Sequence, residues 1–255
     1  FYVSLSACDA LQAKVCLSLK DYTNAAAYAD KVITKSNFAL STTSVEYAQA
    51  FVSNSSSKEL VFALANKRST SLLLFYQTVN DIDPTWDYSP STECYSHLYD
   101  DTAVKSKDIR AKAVFGSDNS RIIKFPNGST GQFVTNEQPS QIPIVVTRVA
   151  EMYLIKAEAL GAVNGLSTLK EFMNKRYATV LLPSNMTDIE FQNQILDERH
   201  RELYAEGQRW YDLKRTNRLD LFSSLNGRNY LMYYPVPQSE RDLAGEENYP
   251  QNEGY

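Results

Sequence analysis

Basic charge, paired cysteine, histidine and long apolar runs are all scarce in this 255-residue chain, and each scarcity removes a class of function. Lys and Arg number 26 against 30 Asp and Glu, a net charge of −4 with both histidines neutral, so a basic nucleic-acid surface is excluded as the main theme. Cys8, Cys16 and Cys94 cannot all pair, and none sits in a CxxC or a Cys/His metal spacing. Cys8 and Cys16 fall on one expected helix, too far apart for a bridge, and all three read as small apolar residues. His97 and His200 have no partners at a telling spacing, so neither a metal site nor a Ser/His/Asp triad has support. Apolar stretches such as Leu72 to Tyr76 are far shorter than the roughly 18 to 20 residues of a membrane span. Leu5-Ser6-Ala7-Cys8 imitates a bacterial lipoprotein cleavage box, but only Phe1 to Ser4 precede it, too few for the charged start and roughly 7 to 15 apolar residues of a signal.

Aromatic residues are plentiful by contrast: 17 Tyr, 11 Phe and 2 Trp. Tyrosine gives half-buried packing between helices, and where it is exposed it offers a flat amphipathic face for binding.

Periodicity organises the rest. From Ser6 to Leu19, Leu11, Val15 and Leu19 recur every four residues beside Ala7, Ala10 and Ala13, which predicts an amphipathic helix with small residues for close packing. Lys20-Asp21-Tyr22 breaks it, and a second helix is expected from Thr23 to Thr34 with Ala25, Tyr28, Ala29, Val32 and Ile33 inward. This pair matches half of a tetratricopeptide repeat, and such a pair buries its apolar face only by stacking on further helices. Between Ser36 and Gln141 the helical period fades around short β-like pieces, Glu59 to Leu64 and Arg121 to Phe125; long irregular stretches of this kind carry function. Helical periodicity returns at Thr147, stops near Gly161 to Gly165, resumes from Ser167 to Tyr177, and then reads as one long helix over Ile189 to Arg218, with Ile195, Leu196, Leu203, Trp210 and Leu213 on its apolar side. An extended, turn-rich tail follows.

Within that last helix Glu198, Glu202 and Glu206 are four apart and would repel if left alone. Arg201 and Arg209, three residues after Glu198 and Glu206, are placed to neutralise them. Gly207 in mid-helix would cost about 1 kcal/mol against Ala and suggests a close backbone contact. Glu202 and Glu206 are the one pair that could serve glycoside hydrolysis; carboxylates interleaved with arginine at helical spacing more often form a structural ion-pair network.

Four blocks, in order, resemble those of the SusD/RagB family. Ala10 to Ile33, with Asp21-Tyr22 and Tyr28-Ala29-Asp30-Lys31-Val32-Ile33, is similar to its helix-pair repeat. Thr147-Arg148-Val149-Ala150-Glu151-Met152-Tyr153-Leu154-Ile155-Lys156-Ala157-Glu158-Ala159 resembles its R-x-A-E-x-Y-L-I-x-A-E-A helix. Glu198-Arg199 through Glu202-Leu203, Glu206-Gly207, Arg209-Trp210, Asp212-Leu213 and Arg215 resembles its most recognisable helix. Pro235-Val236-Pro237-Gln238-Ser239-Glu240 with Gln251-Asn252-Glu253-Gly254-Tyr255 is similar to its usual C-terminus. The front departs from the pattern: family members are longer and open with a lipidated cysteine and an earlier helix pair, so the chain is expected to be the C-terminal half to two-thirds of such a protein.

The resemblance implies a mainly α fold, with tetratricopeptide-like helix pairs packed against an irregular, loop-rich region containing short strands. It is expected to form one domain over 1–255, comprising a helix pair (1–35), an irregular candidate binding region (36–146), a helical part (147–222) and an extended tail (223–255). The implied role is that of an outer-membrane, surface-exposed lipoprotein, held by an N-terminal lipid anchor not present in this chain. It would bind a polysaccharide or oligosaccharide without catalysis or cofactor and deliver it to a SusC-like TonB-dependent transporter. Aromatic rings stack on sugar CH faces while amides and carboxylates bond the hydroxyl rim. The stretch best suited to that is Tyr76 to Tyr88, which sets Trp86 and Tyr88 on one side if extended, with Tyr76 nearby and Asn80, Asp81 and Asp83 as rim groups. Asn80, Asp81 and Asp83 lack the glycine and distal glutamate of a calcium loop, so no metal is expected. Lys67, Arg68 and Arg121 are undecided between ligand and solvent. A helical-repeat scaffold binding only protein partners is the alternative function, and a glycoside hydrolase built on Glu202 and Glu206 a more remote one.

Overall fold

The computed structural model describes residues 3–52, 55–65, 90–99, 107–115, 122–125, 143–180, 182–221 and 225–255. By its internal contacts the chain divides into two compact units, Phe1–Glu206 and Gly207–Tyr255.

In the first unit, α1 (Leu5–Ser18) starts where the Ser4 side chain accepts the Ala7 amide, and α2 (Tyr22–Ile33) where Asp21 does the same for Asn24. Lys20, at φ +61, makes the reversal between them. The two helices pack on each other and on α6 (Val149–Arg176) through Ala10, Ala13, Leu17, Ala25, Ala29, Val32, Met152 and Ile155. Here the structure corrects the expected inner face. Leu11, Val15 and Leu19 are exposed, and the buried stripe of α1 is Ala7, Ala10, Ala13 and Leu17. Methyl-sized side chains let helix axes approach closely, so the alanine stripe rather than the larger apolar stripe faces inward.

A short helix, α3 (Ser44–Ala48), packs on α5 (Ile109–Val114) beside α4 (Thr92–Tyr99), and Tyr47, Phe51, Leu98, Tyr99, Val114, Phe115 and Phe125 form a second apolar cluster. Strand β1 (Leu60–Leu64) pairs antiparallel with β2 (Ile144–Arg148). The expected β-piece at Glu59 to Leu64 is therefore a strand from Leu60 on; of the described residues of the other piece, 122–125, Ile122 makes an isolated bridge to Phe115.

Helix α6 is bent into two parts at Gly161 (φ +71, ψ 179), a backbone conformation essentially restricted to glycine. Past the bend Gly165 lies so near Ala157 that an added Cβ would sit 2.0 Å from its carbonyl oxygen. Helix α7 (Asp188–Glu202) opens on a capping box between Thr187 and Glu190 and buries Phe191, Ile195 and Leu196.

The expected long helix over Ile189 to Arg218 does not exist. Helix α7 stops at Glu202, the chain turns through Ala205 (φ +61) and Gly207 (φ +75), and α8 (Arg209–Arg215) begins anew in the second unit. Gly207 thus serves a turn, not a close helix contact: nothing lies within 4 Å of where its Cβ would be. The second unit continues through a short 3-10 segment, Asn229–Met232, to α9 (Gln238–Ala244) and an irregular C-terminus.

Candidate functional site

The break in the Ile189 to Arg218 run has an electrostatic cause. Lys124 Nζ donates to the carbonyls of Glu202 and Tyr204, both at 2.9 Å, and Arg148 Nη2 and Tyr47 Oη donate to the same Glu202 carbonyl at 2.9 and 3.0 Å. Buried donors therefore satisfy the carbonyls that end α7, where cations also suit the helix dipole. Turning the chain there brings Glu206 back onto Lys124 and Arg148, 2.6 Å from each.

The three glutamates belong to a buried ion-pair lattice. Glu202, fully buried, accepts from Arg148 Nη1 at 2.5 Å, Arg176 Nε at 2.9 Å and Arg110 Nη1 at 3.3 Å. Glu198 is held by Arg110 at 2.8 Å, by Arg201 at 2.9 Å as its spacing foretold, and by the Tyr177 hydroxyl at 2.7 Å. Asp108 pairs with Arg110, while Glu59 bridges Arg148 and Arg176 at 3.0 and 2.8 Å. Among these residues five cations face five carboxylates. Burial pushes the Glu202 carboxyl up, but Arg176, Arg148 and Arg110 outweigh it and hold the group well below the ordinary carboxylate range. Glu198 and Glu206 are lowered against burial in the same way, by Arg110 with Arg201 and by Arg148 with Lys124.

A hydrolytic acid needs a carboxyl that keeps its proton near neutrality and reaches a substrate. Glu202 and Glu206 have neither property: both stay ionised, and their oxygens are taken by arginine and lysine. The lattice is the structural network that helical interleaving of Glu and Arg suggests.

Tyr76, Asn80, Asp81, Asp83, Trp86 and Tyr88 lie outside the described residues, as do Lys67, Arg68 and Arg121.

Spacing along the chain missed one constellation. Packing of α4 against α7 sets Cys94 and His97 across from Asp197 and His200, with His97 Nε2 3.1 Å from Asp197 Oδ1 and Cys94 Sγ 3.8 Å from His200 Nε2. Both pairs are i, i+3, a signal legible only once the two helices are known to be neighbours. Among the described residues no group of three or more His, Cys, Asp and Glu is arranged to hold a metal ion.

Among the described residues, the concavities large enough for a small ligand include one in each unit. A polar one of about 400 Å³ is lined by Ser41, Thr42, Glu46, Gln49, Ser57 and Lys58. Glu46 there is engaged by the Thr42 amide and hydroxyl at 2.8 and 3.1 Å, the amide bond chiefly lowering its carboxyl.

The other, of about 640 Å³, lies wholly within the second unit, lined by Trp210, Tyr211, Lys214, Met232, Tyr233, Tyr234 and Asn252 with Gly207. Asn252 lines it, and its neighbours in residues 251–255 brace the backbone that carries Tyr233 and Tyr234. Gln251 grips Val236, accepting from its amide at 2.7 Å and donating to its carbonyl at 3.2 Å; Asn252 Nδ2 donates to the Tyr234 carbonyl at 2.6 Å, and Tyr255 Oη to the Tyr233 carbonyl at 2.7 Å. Tyr255 also meets Tyr230 edge to face at 5.1 Å, and a Cβ on Gly254 would lie 2.5 Å from the Tyr230 ring. The C-terminal block is thus a clip on the 233–236 backbone. Lys214 Nζ sits 4.3 Å above the Tyr233 ring and donates to the Met232 carbonyl at 3.4 Å.

Comparison with known proteins follows the same lines. The model of the SusD family matches residues 106–230. Starch-binding protein SusD of Bacteroides thetaiotaomicron is 32% identical over 173 residues, covering 62% of this chain and 30% of that protein. A SusD superfamily protein of the same organism superposes with a TM-score of 0.73 at 23% identity, over 98% of this chain and 61% of that one. Surface glycan-binding protein A of that bacterium, in complex with laminarihexaose, superposes with a TM-score of 0.66 at 18% identity, over 98% and 64%. The chain therefore spans less than two thirds of the length of each of these relatives. The mainly helical architecture agrees with these structures.

Proposed function

The chain belongs to the SusD family, and on that premise we propose that it captures a polysaccharide or oligosaccharide at the cell surface and passes it, uncleaved, to a TonB-dependent outer-membrane transporter. The observation that carries the proposal is the 173-residue likeness to a starch-binding protein. It is supported by the state of Glu202, buried, and Glu206, partly buried, both ionised and engaged by cations, which leaves the one candidate acid/base pair without a catalytic role. No described helix is long and apolar enough to cross a membrane, and attachment at the outer membrane through an N-terminal lipid belongs to the same proposal.

Within the irregular region the ligand platform is Trp86 and Tyr88 with Tyr76, and Asn80, Asp81 and Asp83 as hydroxyl partners. Affinity electrophoresis of the full chain through gels containing starch or laminarin tests the proposal. Retardation is expected, weakened at least about tenfold in apparent affinity by Trp86→Ala and without release of reducing sugar. Unimpeded migration through every neutral glycan would reject glycan capture.

One observation favours the helical-scaffold reading: Leu11, Val15 and Leu19 form an outward apolar stripe on α1, the kind of surface that stacked helix pairs cover. That reading gains if the protein ignores glycans but binds a transporter.

A further inference from the structure

We propose that the hollow built by Trp210, Tyr211, Tyr233, Tyr234, Lys214 and Asn252 is a glycan-stacking site in its own right, formed without any residue of the Tyr76 to Tyr88 stretch and selective for neutral oligosaccharides. The inference rests on the glycan-capture reading above and adds a second place of contact.

Four aromatic rings surround the hollow, and all are open to solvent: Tyr234 is 93% exposed, Tyr211 66%, Tyr233 55% and Trp210 38%. Leaving this much ring surface in water is costly unless something covers it. The occupant's chemistry follows from which apolar residues are there. Among the described residues of the lining the one aliphatic side chain, Met232, is buried, so the exposed apolar surface is ring surface. Every exposed ring carries its own polar atom, so the surface is flat and apolar on its faces and hydrogen-bonding at its edges. A pyranose is built the same way, with CH groups on a face and hydroxyls around the rim. The volume of about 640 Å³ is in the usual range for small-ligand sites, about 300 to 1,000 Å³.

Charge narrows the class further. Among the described residues the lining contains no carboxylate and one cation, Lys214, which is engaged by the Tyr233 ring and the Met232 carbonyl. With a net charge of −4 on the chain, a polyanionic glycan gains nothing from long-range attraction. Neutral hexose polymers fit better.

The backbone that presents Tyr233 and Tyr234 is held by the 251–255 clip. Preorganised rings lose little freedom on binding, which is what a shallow site needs in order to retain a ligand.

The test uses the full chain and two readouts. Tyr211→Ala with Tyr234→Ala removes the two most exposed rings without touching the clip's side chains, so folding, followed by circular dichroism, should be unchanged. In laminarin and starch gels this double variant should lose roughly threefold to tenfold in affinity per ring, the effect of an aromatic contact worth about 0.5 to 1.5 kcal/mol. Because the chain has only two tryptophans, Trp86→Phe leaves Trp210 as the sole indole. Its emission should shift on titration with laminarihexaose and stop responding when Tyr211 and Tyr234 are also replaced. A wild type that binds laminarin, together with a double variant of equal affinity or a silent Trp210, overturns the second site and leaves glycan capture standing. A wild type that binds no neutral glycan overturns both, and preference for a uronate polymer over laminarin overturns the assigned ligand class.

Discussion

Replacing Glu202 by Gln removes one negative charge from the centre of the buried lattice and leaves the rest of the side chain's shape intact. Three guanidinium groups, on Arg110, Arg148 and Arg176, lose the carboxylate they share, and all three are fully buried. The lattice passes from five cations against five carboxylates to five against four. Breaking a buried pair by removing one partner costs about 3 to 5 kcal/mol, since the surviving charge is left without compensation in a low dielectric. That is a large share of the roughly 5 to 15 kcal/mol that holds a typical domain together. Urea denaturation followed by far-ultraviolet circular dichroism should therefore show a clearly lower midpoint. Asp30→Asn provides the scale: Lys156 and Asp30 are 2.6 Å apart in the same unit but both partly exposed, and such a pair is worth at most about 1 kcal/mol. If Glu202→Gln cost no more than Asp30→Asn, the lattice would not be the keystone of this unit.

Two glycines in α6 should fail for different reasons. Gly161→Ala has open space around it but a φ of +71, so the cost is backbone strain of about 1 to 3 kcal/mol; Gly165→Ala drives a methyl into the Ala157 carbonyl and should cost at least as much, about 3 kcal/mol or more, by thermal melting. The pH dependence should carry the mark of Lys124, whose ammonium is lowered from the usual 10.5 to about 8, by burial first and by Arg148, against the pull of Glu206 and Glu202. Between those values the folded chain holds fewer protons than the unfolded one, so this group's contribution to stability rises with pH across that window. Wild type should gain stability relative to Lys124→Met between about pH 8 and 9.5 in parallel urea titrations, and equal slopes would refute the assignment. On the acid side, Glu198, Glu202 and Glu206, all lowered, contribute fully above the ordinary carboxylate range and lose that contribution as pH falls through their depressed values.

Much was legible before any coordinates. Local periodicity located α1 and α2, and the start of α7 by the run from Ile189, each to within a residue, and the charge pattern around Glu198 and Glu202 announced an ion-pair network. Interactions within one helical turn, such as Arg201 with Glu198, are set by spacing and can be read directly. The other partners could not be. Arg148 and Arg110 reach Glu202 from 54 and 92 residues away, and sequence has no term for a contact that depends on where β2 and α5 are brought by packing.

The same limit explains the errors. Leu11, Val15 and Leu19 form a more apolar stripe than the alanines beside them, yet close approach of helices selected the alanines. The Ile189 to Arg218 run has the composition of one helix, yet buried donors on Lys124, Arg148 and Tyr47 captured its carbonyls at Glu202 and turned it. The aromatic hollow draws on three separated stretches, Gly207 to Lys214, Met232 to Tyr234 and Asn252, each unremarkable alone. Sequence determined that α1, α2, α6 and α7 are helical, which charges needed neutralising and that rings were abundant. Tertiary structure decided which face turned inward, where the helix broke and which rings share a surface, because each is a competition among long-range contacts that no local pattern encodes.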